Sequence, residues 1–206
     1  MTLVAVSKTF GAEAVRGAWA AGQRDFGENK VQEALQKIAD TADIQARWHL
    51  IGHLQSNKVK KAAAPFACIQ SVDSVDLLHR LDRAAIEDGS TPEVLVQVDL
   101  AGETTKFGAP PSAARQIAEA AAAARAVRLA GLMVLPPWDE DQERTRPWFV
   151  KLRELRDGWV NEGFPAEKLR HLSMGMSHDF EAAIEEGATI VRVGTAIFGK
   201  RAARSQ

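Results

Sequence analysis

The sequence predicts an α/β fold in which eight parallel strands close into a (β/α)8, TIM-type barrel surrounded by helices. Short runs rich in Val, Ile and Leu recur eight times, and stretches with helical spacing separate them. This alternation is typical of a parallel sheet covered by helices, and eight repeats favour closure. The 206 residues, 46% of them hydrophobic and 26% charged, suffice for one sizeable core, so we expect a single domain over residues 1–206.

The candidate strands are short apolar runs. We predict them at 3–8, 24–29, 47–52, 67–72, 93–100, 129–136, 170–175 and 189–195. An open doubly wound sheet is the alternative, but it would need a glycine-rich fingerprint after the first strand. The segment "SKTFGAEAV" supplies only one glycine there, so the barrel is preferred.

The candidate helices lie between these strands. Residues 74–88 place leucines on one face and charges on the other, and the alanine-rich run 112–127 follows two prolines. In "SHDFEAAIEEG", Ser177 suits an N-cap and Gly187 suits a C-terminal stop. A polar connection leads into a long helix that contains residues 148–155.

Charge and cysteine content exclude several classes of protein. The net charge of −1, from 26 basic and 27 acidic residues, gives no global attraction for nucleic acid or anionic membrane. The single cysteine, Cys68, excludes an internal disulfide, and its apolar neighbours favour an inert core thiol. No apolar run approaches the roughly 20 residues of a membrane span, and the N-terminus lacks the basic stretch, apolar region and cleavage site that would predict secretion. We therefore expect a cytoplasmic protein.

Two small turns after strands seven and eight form the first candidate site. "SMGMS" contributes Ser173 and Ser177 and leads toward a helix, and "GTAIFG" contributes Gly194 and Thr195. The loops after these two strands are the habitual phosphate site of barrel enzymes. Either turn alone is explained by capping or chain reversal, but the two together favour a phosphate ligand.

Arg192 in "TIVRVGT" is the second candidate. It alternates with Val191 and Val193, so it should point into the barrel if the valines pack on outer helices. A charge there needs a partner, either a carboxylate such as Asp99 or a ligand. The spacing leaves these two interpretations equally open.

Lys8 ends the first strand, next to the eighth strand of a closed barrel. It could contact a phosphate as a point charge, or its amine could form a Schiff base with a carbonyl ligand. A phosphorylated aldehyde would use both the amine and the turns, and pyridoxal 5′-phosphate is such a molecule.

Several motifs resemble one family over residues 3–201. "LVAVSKT", "FGENKVQEA", "WHLIGHLQSNKVK" and above all "LSMGMSHDFEAAIEEGATIVRVGTAIFG" are similar to the YggS/PROSC family of pyridoxal phosphate homeostasis proteins. The resemblance implies a barrel like the N-terminal domain of alanine racemase, with pyridoxal phosphate held covalently as a Schiff base. It also implies a helix before the "AVSKT" strand, and this sequence begins two residues ahead of "LVAVSKT" without one.

The resemblance also assigns roles by motif. Lys8 resembles the Schiff-base lysine, and Arg192 resembles the residue that approaches the pyridine nitrogen. The remaining residues that it implies are the phosphate cradle, Ser173, Ser177, Gly194 and Thr195, and the pocket-lining Asn29 and Asn57.

Three functions remain in competition. A racemase needs a base on each face of the cofactor, yet the chain has no tyrosine and no residues for a second, β-rich domain, while His171 and His178 look incidental. A phosphate-ligand barrel without a covalent bond fits the turns but not the "AVSKT" match. We expect a non-catalytic pyridoxal phosphate carrier, a monomer or weak dimer, with apo forms of pyridoxal phosphate enzymes as recipients.

Overall fold

The computed structural model describes residues 1–102 and 107–199, and within them eight parallel strands form a closed barrel. Each strand pairs with the next, and β1 pairs with β8. The strands are β1 Thr2–Val6, β2 Asp25–Glu28, β3 Arg47–Leu50, β4 Cys68–Val72, β5 Glu93–Val98, β6 Arg128–Val134, β7 His171–Met176 and β8 Ile190–Val193. The predicted barrel and all eight predicted strands are confirmed, with ends that differ by one or two residues.

Helices follow the strands on the outside. They are α1 Ala12–Ala20, α2 Val31–Asp40, α3 Val59–Ala62, α4 Val75–Asp88, α5 Pro111–Ala122, α6 Gln142–Asn161, α7 Phe180–Glu185 and α8 Thr195–Phe198. Two 3₁₀ turns, Ser56–Lys58 and Ala166–Leu169, complete the connections. In the part of the chain that the structure describes, none of these helices combines the length and apolar character needed to cross a membrane.

Helix α4 shows how the sequence specifies an element. The Ser74 hydroxyl accepts a hydrogen bond from the Leu77 N–H at 3.2 Å, which caps the first turn. Gly89 ends the helix with a φ of 67°, a conformation that glycine adopts at little cost. Leu77, Leu78 and Leu81 are buried against the sheet, so the predicted helix over 74–88 is confirmed.

Helix α7 begins later than the sequence predicts. Asp179, not Ser177, occupies the N-cap position, and its carboxylate accepts the Met176 N–H at 2.6 Å. The Ser177 hydroxyl instead accepts the Gly194 N–H at 3.1 Å. The prediction of Ser177 as an N-cap is therefore wrong, because its hydroxyl joins two neighbouring strand ends.

The barrel has two apolar layers. Side chains that alternate outward pack against the helices in the main core, and those that alternate inward form a smaller cluster in the lumen. The lumen cluster consists of Val4, Cys68, Leu95, Ala130, Met133 and Ile190. Val191 and Val193 belong to the outer layer, so Arg192 points into the barrel as predicted.

Candidate functional site

A cavity of about 730 Å³ opens at the carboxyl ends of the strands. This volume lies in the range of small-molecule sites, and this end of a barrel is where such sites are built. Six of the sequence-predicted residues line it: Lys8, Asn29, Ser177, Arg192, Gly194 and Thr195. The barrel therefore brings side chains from β1, β2, β7 and β8 to one place.

Lys8 lies in a tight turn that takes the chain out of β1. The Phe10 N–H donates to the Ser7 carbonyl at 3.0 Å, and Thr9 between them has a φ of 72°. That left-handed conformation is unusual for a β-branched residue, so the turn is held by its surroundings. Val4 and Val6 face inward, and Lys8 continues their alternation toward the cavity.

A buried ion pair fixes this turn from outside the barrel. The Lys37 ammonium on α2 donates to the Ser7 carbonyl at 2.6 Å and forms an ion pair with Glu28 at the end of β2. The Ser7 hydroxyl donates to the same Glu28 oxygen at 2.6 Å. Glu28 is fully buried, so the hydroxyl and the carbonyl of Ser7 are anchored directly before Lys8. Sequence analysis missed this network.

The turn after β8 forms the opposite wall. A side chain at position 194 would place its Cβ 3.3 Å from the Val6 carbonyl oxygen, so glycine allows β1 and β8 to approach closely here. The Ser177 hydroxyl accepts N–H groups from Gly194 and, at 3.5 Å, Ala196. Its own proton therefore remains to be donated, and Thr195 adds a second hydroxyl at the cavity wall.

Arg192 forms the floor of the cavity. It is 3% exposed, and burial lowers the pKa of its guanidinium to about 10. The guanidinium donates from Nη1 to the Ser173 hydroxyl at 2.5 Å and from Nη2 to the Val134 carbonyl at 2.8 Å. Asp99, which the sequence left open as one of two alternative partners, instead accepts the N–H groups of the local turn at Ala101 and Gly102.

Ser173 and Asn57 are not where the sequence places them. Ser173 is fully buried below the cavity, where its hydroxyl donates to Gln70 and accepts from Arg192, so it is not part of the cavity wall. Asn57 is exposed in the 3₁₀ turn that precedes α3 and does not line the cavity. Ser173 lies within β7, which points its side chain inward below the cavity, whereas Asn57 follows β3 in a turn beyond the rim.

Asn29 does line the cavity, and Gly52 explains its position. A Cβ at Gly52 would lie 2.2 Å from the Asn29 carbonyl oxygen, closer than any side chain allows. The ends of β2 and β3 can therefore meet only with glycine at position 52. This contact holds Asn29 at the cavity edge.

Aromatic and imidazole rings form the rim, and of these the sequence analysis considered only His178. The His53 ring stacks on Phe107 with centroids 3.7 Å apart, and Trp138 lies 6.1 Å from His178. His178 lines the cavity, whereas His171 is half-buried elsewhere beside Thr189. His178 precedes α7, which begins two residues later.

Comparisons with known proteins place the chain in a family. Residues 1–202 match the model of the alanine racemase N-terminal domain. A pyridoxal phosphate homeostasis protein of Pseudomonas aeruginosa is 46% identical over 199 residues, which cover 97% of this chain and 84% of that protein. One of Aquifex aeolicus is 44% identical, with coverages of 97% and 86%.

Solved structures show similarity to the same proteins. The structure of PipY from Synechococcus elongatus with pyridoxal phosphate bound is 43% identical and superposes with a TM-score of 0.89, covering 97% of this chain and 92% of PipY. A Clostridium difficile alanine racemase, at 14% identity and a TM-score of 0.78, shares the fold over 53% of its own length. On this sequence and structural evidence, the chain belongs to the pyridoxal phosphate homeostasis protein family.

Proposed function

We propose that this chain binds pyridoxal 5′-phosphate as a reversible Schiff base on Lys8 and serves in its homeostasis without robust catalytic activity. The main support is one juxtaposition: Lys8, Arg192 and Ser177 share a cavity of about 730 Å³. One domain over residues 1–206 carries this function.

The residues at the cavity fit the ligand. Its aldehyde reacts with a primary amine, and its phosphate accepts hydrogen bonds. Lys8 provides the amine, and the hydroxyls of Ser177 and Thr195 provide donors on the facing wall. Asn29 adds an amide at the edge, and the rim rings of His53 and Phe107 add apolar surface.

Arg192 argues against strong carbanion chemistry. With a pKa of about 10, it stays a cation at neutral pH and donates hydrogen bonds only. A donor placed against a pyridine nitrogen keeps a proton off that atom, which weakens the ring as an electron sink. The family name carried by the relatives at 44% and 46% identity also favours homeostasis over catalysis.

A racemase is the second candidate, because His178 lines the cavity and could act as a base. Its Nε2 lies 3.4 Å from the buried Asp179 carboxylate, which could orient the ring. Incubation of the loaded protein with L-alanine in D₂O tests this function. We expect no exchange of the α-proton above the rate with free cofactor; exchange that is lost in His178→Ala would replace our proposal with a racemase.

The Schiff base is tested by titrating the protein with pyridoxal phosphate, reducing with borohydride and mapping the modified peptide. We expect an imine absorption band and a phosphopyridoxyl group on Lys8. Lys8→Ala should lose the band and keep a weaker phosphate-dependent affinity. Lys30→Ala is the control, because Lys30 is an exposed lysine at the same end of the barrel, paired with Glu33.

The outcomes separate the candidates. A phosphopyridoxyl adduct on Lys8 that also forms in the Lys30→Ala variant supports the proposed carrier function. A ligand that binds without an imine favours the plain phosphate barrel. Delivery is tested by mixing loaded protein with an apo-enzyme, and activation no faster than with equal free cofactor would argue against apo-enzymes as recipients.

A further inference from the structure

A continuous chain of hydrogen bonds crosses the barrel lumen below the cavity. The imidazole of His49 contacts Asp25 Oδ1 through Nε2 at 2.8 Å and Gln70 Nε2 through Nδ1 at 3.1 Å. Gln70 Oε1 accepts the Ser173 hydroxyl at 2.6 Å, and Ser173 accepts Arg192 Nη1 at 2.5 Å. Five strands thus contribute one inward side chain each.

The two ends of the chain fix the direction of every hydrogen bond. An aspartate carboxylate only accepts and a guanidinium only donates. Ser173 must therefore pass its proton to Gln70, whose amide then donates to His49 Nδ1, and His49 donates from Nε2 to Asp25. No bond in the chain has two donors or two acceptors facing each other.

Because the chain is buried, its members must keep these hydrogen-bond directions. Gln70 and Ser173 are fully buried, and His49 is 2% exposed, so water does not compete for their polar atoms. Only Asp25 reaches the far rim, where the exposed Arg47 lies 3.3 Å from its carboxylate. A buried polar network that satisfies all its members is rigid, and removing one member leaves the neighbours unpaired.

We propose that Gln70 and Ser173, backed by His49 and Asp25, are positioning residues that fix the Arg192 guanidinium at the floor of the cavity. Two of the guanidinium nitrogens are bound from below, by Ser173 and Val134, so the plane of the group is set before a ligand arrives. The remaining donors are then held in one orientation toward the cavity. For its ligand, this inference rests on the proposed function.

The first test needs neither a ligand nor a variant. Nuclear magnetic resonance of ¹⁵N-labelled, cofactor-free protein should find the His49 proton on Nε2. A proton on Nδ1 would overturn the proposal, because Gln70 would then have to turn its oxygen to His49 and its NH₂ to Ser173, which leaves the Ser173 proton without its acceptor. The Arg192 side-chain signals should also be protected from exchange with water.

The second test removes single buried hydroxyls. Ser173→Ala should shift and broaden the Arg192 signals, and Thr145→Val should not, although the buried Thr145 hydroxyl also makes one hydrogen bond, to the Gln142 carbonyl. With pyridoxal phosphate added, Ser173→Ala should change the absorption of the bound ligand and weaken binding roughly fivefold. Gln70→Leu should act in the same direction.

These readouts keep the two proposals apart. If wild-type protein forms no imine, the proposed function fails, while the Arg192 and His49 signals still decide the positioning chain. If the imine forms but Ser173→Ala and Gln70→Leu leave both the Arg192 signals and the ligand spectrum at wild-type values, the positioning proposal fails and the proposed function stands.

Discussion

Among the residues that the structure describes, Lys8 and Arg192 are two cations that line the cavity, and they are supported in opposite ways. Lys8 follows a turn fixed by Lys37 and Glu28, an ion pair between the sheet and α2. Arg192 sits on a row of mostly neutral groups inside the lumen, and no carboxylate of residues 1–102 or 107–199 contacts it directly. Breaking the ion pair that supports Lys8 would therefore leave one buried charge unpaired, whereas Arg192 itself is a buried charge that the fold tolerates.

We expect the largest effect from breaking the Lys37–Glu28 ion pair that supports the Lys8 turn. Lys37→Met leaves the Glu28 carboxylate buried without a cation, and we expect a loss of about 3–5 kcal/mol in the free energy of unfolding. Urea unfolding of the single variant and of Glu28→Leu/Lys37→Met measures this loss. The double variant should recover most of it, and an equal loss in both would show that the two charges are not coupled.

The second prediction concerns Arg192, and its expected effect on stability is much smaller. Lowering the guanidinium pKa from 12.5 to about 10 corresponds to roughly 3 kcal/mol of unfavourable desolvation. Arg192→Met removes that cost but leaves Ser173 and Val134 without a donor, which costs about 1–3 kcal/mol. Urea unfolding should give a value within about 1 kcal/mol of wild type, while the imine spectrum changes. A loss of unfolding free energy as large as that of Lys37→Met would contradict the proposed difference between the two cations.

The sign of the pH dependence sharpens the same comparison. The folded state lowers the pKa of Arg192, so the unfolded state binds more protons above pH 10. The desolvation cost of the charged guanidinium destabilises the folded state in full below pH 10, and it decreases as the pH rises above that value. Wild type should therefore gain stability relative to Arg192→Met above pH 10, and a constant difference would contradict the buried charge as its source.

The smallest effect is expected at Thr9. Its left-handed conformation costs roughly 1–2 kcal/mol for a residue with a Cβ, and glycine removes this strain at an entropic cost of about 0.5–1 kcal/mol. Thr9→Gly should raise the free energy of unfolding by up to about 1 kcal/mol and should loosen the Lys8 turn. Thr2→Gly in β1 is the control and should only destabilise.

Periodicity predicted which face each residue occupies. Counting strands gives the barrel, and alternation gives the inward direction of Arg192 and the position of Lys8 beside β8. The same alternation places Asp25, His49 and Gln70 on the inward face, and this signal was available in the sequence. The signal is carried by single polar residues in short strands, and it is visible only when successive strands are aligned.

Periodicity does not predict which residues meet across the lumen. Ser173 and Gln70 are 103 positions apart, and only the closed barrel brings them together. Ser177 was misassigned for the same reason, since its hydroxyl has a competing partner 17 residues further along the chain. Asp99 failed as a partner because a local turn already uses its carboxylate.

Labelling of the Cys68 thiol can report how often the barrel opens. Cys68 is the single cysteine of the sequence, it lies in the lumen cluster at 3% exposure, and burial raises the pKa of its thiol. A thiol reagent can therefore modify the native protein only when the strands around the lumen separate, and the labelling rate measures how often they do. A ligand that binds only the closed barrel should slow this labelling as the site becomes saturated. The labelling rate at different ligand concentrations therefore measures the affinity of the protein for that ligand.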